Sequence, residues 1–379
     1  MGESLTDIAR KLKESYKKVE LVYAFNGTGK TRLSRVFKEL IVPTSIDDVN
    51  GDDENVDFRP SELSKKVLYY SAFTEDLFYW DNDLDNDEER KLNIHPNSFT
   101  NWVIKEQGQE HNIARHFQSL TSDKLTPTFS EDLSSVSFSI ERGDNENISN
   151  IKISKGEESN FIWSVFYSVL DHVINVLNTS NLSERDTNDF DQLEYVFIDD
   201  PVSSLDENHL IQLAVNLGSL MKSNVSKVKF ILLTHNTLFY NVLYNEVGAK
   251  NGYILRCFGD GTFDLHKKQG DSNKSFSYHL HIKQLIEEAI ENNSIQRYHF
   301  ALLRNLYEKT ANFLGYKKWS ELLPDDKKVY SSRVMNFYPH NTLTYEEVAE
   351  PTEPEKEMIS FLLRNLVENY GYLTIPSPK

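Results

Sequence analysis

The sequence predicts an α/β domain with a mostly parallel sheet, followed by an all-α domain. Short, continuously apolar runs at 19–25, 195–198 and 228–233 have the length and Val/Ile/Leu/Phe content of strands buried on both faces. Helix-length segments at 31–40, 161–177 and 210–221 stand between them, and strand alternating with helix is the pattern of a parallel sheet. Past residue 264 strand-like alternation fades, and 282–291, 295–314, 328–337 and 354–370 read as helices. The expected domains are therefore 1–264 and 265–379.

Within the first domain, 66–73 reads as a further strand. Val136, Phe138 and Ile140 alternate, as do Ile151 and Ile153, with Gly143, Asp144 and Asn145 between them, which predicts a small antiparallel β-subdomain. Acidic segments at 45–57, 81–90 and 180–191 have no apolar period and read as solvated loops or insertions. At 39% apolar and 26% charged residues, the 379-residue chain is not a disordered, collagen-like or coiled-coil rod sequence. The apolar runs at 161–170 and 228–233 are shorter than the roughly 20 residues of a membrane span, and the charged first 18 residues are not a secretory signal. A single cysteine, Cys257, allows no internal disulfide and no Cys-based zinc site. A cytoplasmic protein without a membrane partner is expected.

The strongest local signal is Ala24-Phe25-Asn26-Gly27-Thr28-Gly29-Lys30-Thr31, after a predicted strand and opening a predicted helix. Backbone N–H groups from Gly27 onward can wrap a phosphate, Lys30 can reach the β- and γ-phosphates, and Thr31 can offer a hydroxyl to Mg²⁺. Ala24 replaces the first glycine of the strict pattern, a small residue where the close phosphate approach is made by the later ones. Asn26, Thr28, Gly29 and Arg32 complete the expected nucleotide-binding stretch. The strand at 195–198 ends in Asp199 and Asp200. Asp199 is the candidate Mg²⁺ holder with Thr31, and Asp200 the candidate for orienting or deprotonating the attacking water. His235, at the end of the 228–233 strand, is a candidate γ-phosphate sensor.

Ser154, Lys155, Gly156 and Glu157, just ahead of a long helix, resemble the signature of ABC-type ATPases. With Ser204 to Asp206 as D-loop and His235 as H-loop, the motifs stand in ABC order. In that family two heads sandwich two nucleotides, and Ser154, Gly156 and Glu157 would complete the partner's site, which implies a homodimer through the heads. About 120 residues separate Lys30 from Ser154, too few for the long coiled-coil hairpin of chromosome-maintenance and repair members. Asp200 stands where most ABC ATPases carry Glu, which favours slow hydrolysis and a sensor or timer over a fast motor.

Charge is divided unevenly. The chain carries a net −17, yet residues 265–379 hold 15 basic and 15 acidic side chains, and residues 265–340 hold 12 basic and 8 acidic. An acidic surface opposes nucleic acid, so that objection applies to the first domain and not to the second.

Segments 23–35, 73–83, 155–161, 198–205, 270–281, 304–309 and 319–326 together resemble the PrrC-type bacterial anticodon nucleases over nearly the whole chain. The resemblance implies an ABC-type domain that binds ATP or GTP with Mg²⁺, and a C-terminal domain that cuts tRNA, typically tRNA-Lys 5′ of the wobble base. It implies Arg304, Glu308 and His340 as catalytic residues with no metal at the nuclease site. Residues Asp271, Ser272, Asn273, Lys274 and Ser275 would contact the substrate, and a type I restriction-modification complex would keep the toxin latent until a phage counters that complex. A metal-free ribonuclease needs a base for the 2′-OH, an acid for the leaving 5′-oxygen and a cation beside the phosphorane. Glu308 and His340 can divide the first two roles and Arg304 can fill the third. Arg333 and His340 are separated by six residues, similar to the Arg-x4-6-His motif of HEPN ribonucleases, which makes Arg333 a secondary candidate. The sequence leaves open dimer against tetramer, a DNA-associated ABC ATPase of repair or chromosome type, and a nucleotide sensor that arms a separate nuclease.

Overall fold

The computed structural model describes residues 2–41, 66–71, 76–81, 90–95, 108–141, 147–201, 205, 207–249, 251–269, 278–324 and 351–372. The chain divides into two compact units, Met1–Ser275 and Phe276–Lys379.

The first unit is built on a six-stranded sheet. Its strands are β1 (Val19–Ala24), β2 (Val67–Tyr70), β8 (Tyr195–Asp199), β9 (Lys229–Thr234), β10 (Asn251–Cys257) and β11 (Phe263–Gln269), in the order β11-β10-β1-β9-β8-β2. Every pairing is parallel except β10 with β11. The apolar runs that predicted strands are those with no exposed face: all five residues of β8 are buried, as are the last five of β1 and of β9. Helices α1 (Leu5–Glu14) and α2 (Lys30–Ile41) pack Leu5, Ile8, Leu12, Leu33 and Phe37 with Val22, Phe197, Ile231 and Leu233 of the sheet.

A second, antiparallel sheet contains β3 (Phe78–Asp81), β4 (Lys91–Ile94), β5 (Leu125–Phe129), β6 (Ser135–Glu141) and the short β7 (Asn147–Ile148), with α3 (Glu110–Leu120) beside it. Helix α4 (Lys155–Asn178) joins the two sheets. Sixteen of its 24 residues are buried, so it has little amphipathic character and lies inside the unit. Phe161 sits edge-on to Phe138 of β6 at 5.2 Å, while Trp163 and Phe166 meet Tyr70 of β2 at 5.2 and 4.8 Å. Two serines on this buried helix, Ser164 and Ser168, satisfy their hydroxyls on the carbonyls of Asn160 and Ser164, each at 2.7 Å. Helices α5 (Glu207–Ser223) and α6 (Thr237–Glu246) complete this unit.

Several expectations shift. The expected boundary at 264 falls inside β11, which pairs along its length with β10 through Leu255↔Leu265 and Asn251↔Gln269. Ile151 and Ile153 do not form a strand. Asn150 turns the backbone at φ 56°, and beyond the Ile140↔Ile148 pair only the Ile151 N–H reaches β6, bonding the Phe138 carbonyl at 3.0 Å. The acidic segment at 180–191 is pinned rather than merely solvated, with Arg185 ion-paired to Asp191.

In the second unit α7 (Tyr278–Glu291), α8 (Arg297–Leu314), a 3-10 turn (Trp319–Leu322) and α9 (Glu353–Asn369) enclose a core of Ile282, Ile286, Phe300, Leu303, Leu306, Tyr307, Ile359, Leu362 and Leu366. Tyr307 is buried and donates to the Leu362 carbonyl at 2.9 Å, tying α8 to α9. The expected helix at 328–337 lies outside the described residues. No helix among the described residues is long and apolar enough to cross a membrane.

Gly252 on β10 leaves room for the hydroxyl end of Tyr240 of α6: a Cβ there would collide with the Tyr240 hydroxyl and stand 3.1 Å from its Cζ. Gly252→Ala is expected to cost about 1–3 kcal/mol in urea unfolding, as overpacking does in a closed core. Adding Tyr240→Phe should recover part of that loss, and an unchanged double variant would show that the contact is not the cause.

Candidate functional site

Parallel pairing puts the C-terminal ends of β1, β9 and β8 side by side, with Tyr23 opposite Thr234 and Leu233 opposite Asp199. The loops leaving those ends carry the predicted nucleotide residues, and such strand ends are where open α/β sheets bind ligands.

After β1 the chain turns through Gly27 at φ 80° and Gly29 at φ 88°, values open to glycine and strained for other residues. Phe263 and Leu5 lie under Gly29, with the Phe263 ring 3.4 Å from where a Cβ would stand. The first bond of α2 runs from the Leu33 N–H to the Gly29 carbonyl at 2.9 Å. The N–H groups of Lys30, Thr31 and Arg32 precede it and are those a helix offers to an anion. Arg32 itself lies over the Phe263 ring, 5.9 Å from its centroid.

Lys30 is 9% exposed and bends back into the loop. Its ammonium donates to Asn26 Oδ1 at 3.0 Å and to the carbonyls of Ala24 and Phe25 at 3.4 Å, and it stands 3.4 Å from Asp200 Oδ2. Asn26 thus acts here by holding Lys30. Thr28 caps the turn by donating its hydroxyl to the Phe25 carbonyl at 2.7 Å.

Thr31 Oγ1 donates to Asp199 Oδ2 at 3.1 Å. Asp199 is 2% exposed, and its Oδ1 is buried with no hydrogen-bond partner. Burial, joined by the neighbouring Asp200 and opposed by the Thr31 hydrogen bond and Lys30, pushes the Asp199 carboxyl up to about 6. A hydroxyl and a carboxylate side by side, with one carboxylate oxygen unsatisfied, form a hard oxygen donor set that fits Mg²⁺. Asp199 and Thr31 would hold that ion, and it would neutralise charge developing on phosphate oxygens.

Asp200 sits at φ 56°, in the left-handed region that Asp tolerates better than most residues. It pairs with His235 Nδ1, and its other oxygen accepts from Thr234 Oγ1 at 3.2 Å and the His235 N–H at 3.4 Å. Burial alone would raise this carboxyl; the His235 contacts and Lys30 outweigh it and hold it below the usual range. The proposed water-orienting carboxylate and γ-phosphate sensor are therefore one hydrogen-bonded unit. Thr234, the strand residue before His235, was not among the sequence candidates, and its signal is only its place at the strand end.

Ser154 is the N-cap of α4, in a reciprocal capping box with Glu157: the Ser154 N–H bonds Glu157 Oε2 at 2.7 Å, and the Glu157 N–H bonds Ser154 Oγ at 3.3 Å. Among the described residues these two side chains contact each other and not the P-loop. Behind Gly156, Glu158 is buried and ties the helix start to the antiparallel sheet, accepting from Trp80 Nε1 at 2.9 Å and from Lys155 Nζ at 2.7 Å. Of the D-loop, Ser204 and Asp206 lie outside the described residues.

In the second unit Arg304 and Glu308 lie on one face of α8, joined Nε to Oε1 at 2.8 Å. The Arg304 guanidinium also lies over the Trp319 ring, 5.6 Å from its centroid. Side-chain exposures of 22% and 39% make this a half-exposed pair, worth only about 0.3–0.5 kcal/mol of fold stability. Nothing in the sequence period links Trp319 to Arg304, so that contact was not foreseen. Arg333, His340 and Asp271, Ser272, Asn273, Lys274 and Ser275 lie outside the described residues. The described residues contain no cluster of three or more His, Cys, Asp or Glu arranged as a metal site.

A carboxyl whose folded value is raised favours folding below its unfolded value and loses that contribution as pH rises through the folded one. For Asp199 the window runs from about 4 to about 6. In protein without nucleotide or Mg²⁺, Asp199→Asn should therefore lie within about 1 kcal/mol of the wild type near pH 4.5 in urea unfolding. At pH 7.5 it should be more stable by up to about 3 kcal/mol. Adding Mg²⁺ with nucleotide should stabilise the wild type and not the variant.

The arrangement of the first unit is that of an ABC-type ATPase head: a P-loop after a central strand, paired carboxylates and a histidine on neighbouring strand ends, an antiparallel subdomain, and a signature-capped helix joining the two sheets. No protein-family profile matches the chain. Two solved Smc head domains, one bound to the C-winged helix domain of ScpA and one from Thermotoga maritima, each cover 67% of this chain and 91% of their own. Their identities are 11% and 12%, with TM-scores of 0.34 and 0.33. An anticodon nuclease of Escherichia coli is 57% identical over 392 aligned residues, spanning 98% of this chain and 98% of its own. An identity of that size, held from end to end across both units, means that this chain belongs to the anticodon nuclease family.

Proposed function

We propose that this protein is a tRNA anticodon nuclease gated by nucleotide, with the first unit as the switch and the second as the ribonuclease. The observation that carries the reading is the full-length relationship to an anticodon nuclease, which spans the P-loop unit and the helical unit alike. The expected substrate is the anticodon loop of tRNA-Lys, cut 5′ of the wobble base. A type I restriction-modification complex is the expected masking partner, and release of the toxin during phage attack the expected use.

The cut follows from attack by the neighbouring 2′-oxygen, chemistry that requires no metal. One of Glu308 and His340 takes the 2′-OH proton as O2′ bonds to phosphorus; the other gives a proton to O5′ as the P–O5′ bond breaks. The products are a 2′,3′-cyclic phosphate and a 5′-OH. Arg304 stabilises the extra negative charge of the phosphorane, and its contact with the Trp319 ring supports this role by limiting where the planar guanidinium can point.

ATP or GTP would lie on the N–H groups at the start of α2, with Mg²⁺ on Thr31 and Asp199. Binding would draw Lys30 from Asp200 to the phosphates, and Asp200, one methylene shorter than Glu, would hydrolyse slowly. Two heads would share their sites, each offering Ser154, Gly156 and Glu157 to the other.

Because the Arg304–Glu308 pair contributes so little to the fold, variants there report chemistry. Glu308→Gln is expected to retain the wild-type unfolding midpoint, and Arg304→Ala, Glu308→Gln and His340→Ala are each expected to lose about 100-fold or more in tRNA cleavage, the scale of general acid-base catalysis. Cleavage at wild-type rate in Glu308→Gln or His340→Ala would remove that residue from the site. Lys30→Ala should abolish nucleotide binding, measured by calorimetry, and with it the nucleotide dependence of cleavage.

A further inference from the structure

The C-terminal end of α8 carries aromatic surface that the core does not use. Phe313 is 90% exposed and Tyr316 is 41% exposed. The backbone between them is closed by two bonds: the Gly315 N–H to the Asn312 carbonyl at 3.2 Å, and the Tyr316 N–H to the Ala311 carbonyl at 2.9 Å, with Gly315 at φ 80°. This is a Schellman closure, which fixes the turn before any ligand arrives. Tyr316 is steadied edge-on against Tyr370 at 6.4 Å. Lys317 and Lys318 follow, both exposed, and among the described residues neither ammonium has a carboxylate partner. The chain then folds back so that Trp319 lies against Arg304.

The turn thus offers two aromatic faces and two exposed ammonium groups on an ordered backbone just past the helix that carries Arg304 and Glu308, with one carboxylate nearby, Glu321, which accepts from the Lys318 N–H at 2.9 Å. Aromatic rings interleaved with cations are what unpaired RNA requires, since every base has a face to stack and every linkage a charge. A second copy of this chain fits less well, because a two-fold contact through the patch would bring four lysines together against two Glu321 carboxylates. The turn also belongs to the part of the chain that escapes the −17: residues 265–340 have a surplus of basic side chains.

We propose that residues 313–318 form a stacking platform for unpaired nucleotides of the substrate RNA. Bases would lie on Phe313 and Tyr316, and flanking phosphates on Lys317 and Lys318. The platform rests on the nuclease reading and adds to it a surface for unpaired nucleotides at the C-terminal end of the helix that carries Arg304 and Glu308. The helix cap orders the backbone that carries both rings before binding, which favours affinity.

The test uses the full-length protein with nucleotide and Mg²⁺. The probe is a labelled anticodon stem-loop of tRNA-Lys with 2′-O-methyl riboses, which can bind but cannot be cut, and total-tRNA cleavage is measured in parallel. Phe313→Ser combined with Tyr316→Ser is expected to weaken stem-loop binding by about ten-fold or more, and Phe313→Trp to retain it. Lys317→Gln with Lys318→Gln should lower the slope of log affinity against log salt by about 1.4, the value for two phosphates on a single strand. Sedimentation of each variant reports self-association, and the urea-unfolding midpoint of each reports the fold, which matters for Tyr316 because it packs on Tyr370. A wild type that binds and cuts, with aromatic variants of unchanged affinity, would overturn the platform and leave the nuclease reading intact. Altered self-association with unchanged RNA affinity would overturn it too, and make the patch a protein contact. A wild type that neither binds the stem-loop nor cuts any tRNA would overturn the nuclease reading, and the platform with it.

Discussion

Two adjacent carboxylates at the buried end of β8 set the terms for the first unit. Asp199 is 2% exposed and Asp200 lies beside it, so both charges must be met by groups brought to the same place. Thr31 and Lys30 come from the turn after β1, and Thr234 and His235 from the end of β9. Only parallel strands in the order β1-β9-β8 bring those ends together. The sheet topology and the site are therefore one constraint. The unresolved part of the electrostatics is equally informative: Asp199 keeps a buried oxygen without a partner and a raised carboxyl value, the condition of a donor set shaped for a cation.

The rest of the first unit is tied together by one buried helix. Helix α4 begins at the signature serine, and its first turns are fixed on two sides, by Glu158 to Trp80 in one sheet and by Trp163 and Phe166 to Tyr70 in the other. A partner nucleotide engaging Ser154 would meet a helix that cannot move without both sheets. The second unit works differently. It has no strands among its described residues, and its Arg304–Glu308 pair is held on a helix face by a ring, outside the closed core of Tyr307, Leu362 and their neighbours. Of the net −17, Met1–Ser275 carries −15 and Phe276–Lys379 carries −2, so the charge that opposes nucleic acid lies almost wholly with the first unit.

Much of this was legible in the residues. Strands β1, β8 and β9 are continuous apolar runs because both faces are covered, and α8 and α9 show plain helical periods. Strands β10 and β11 were missed because Arg256, Asp264, His266 and Lys267 break their alternation, and Gly252 reads as a turn until Tyr240 is seen to need the space. Ile151 and Ile153 alternate like a strand, but Asn150 takes a turn conformation and Ser154 caps a helix. In the site, Lys30, Thr31, Asp199, Asp200 and His235 were identified by spacing along the chain. Thr234 and Trp319 were not, because their roles depend on which strands and turns become neighbours, and no local period carries that. Asn26, expected at the nucleotide, accepts from Lys30, a contact that the spacing does not reveal.

The central claim is that nucleotide on the acidic unit licenses cutting of an anticodon loop by the helical one. Its most direct test is to sequence every RNA 3′ end formed when the purified protein meets total tRNA, with and without ATP or GTP and Mg²⁺, in the absence of any masking partner. The expected result is a single cut in the anticodon loop of one tRNA species, ending in a 2′,3′-cyclic phosphate and appearing only with nucleotide. No cut under any nucleotide condition, together with rapid hydrolysis stimulated by DNA, would contradict it and identify the chain as a DNA-associated ATPase instead.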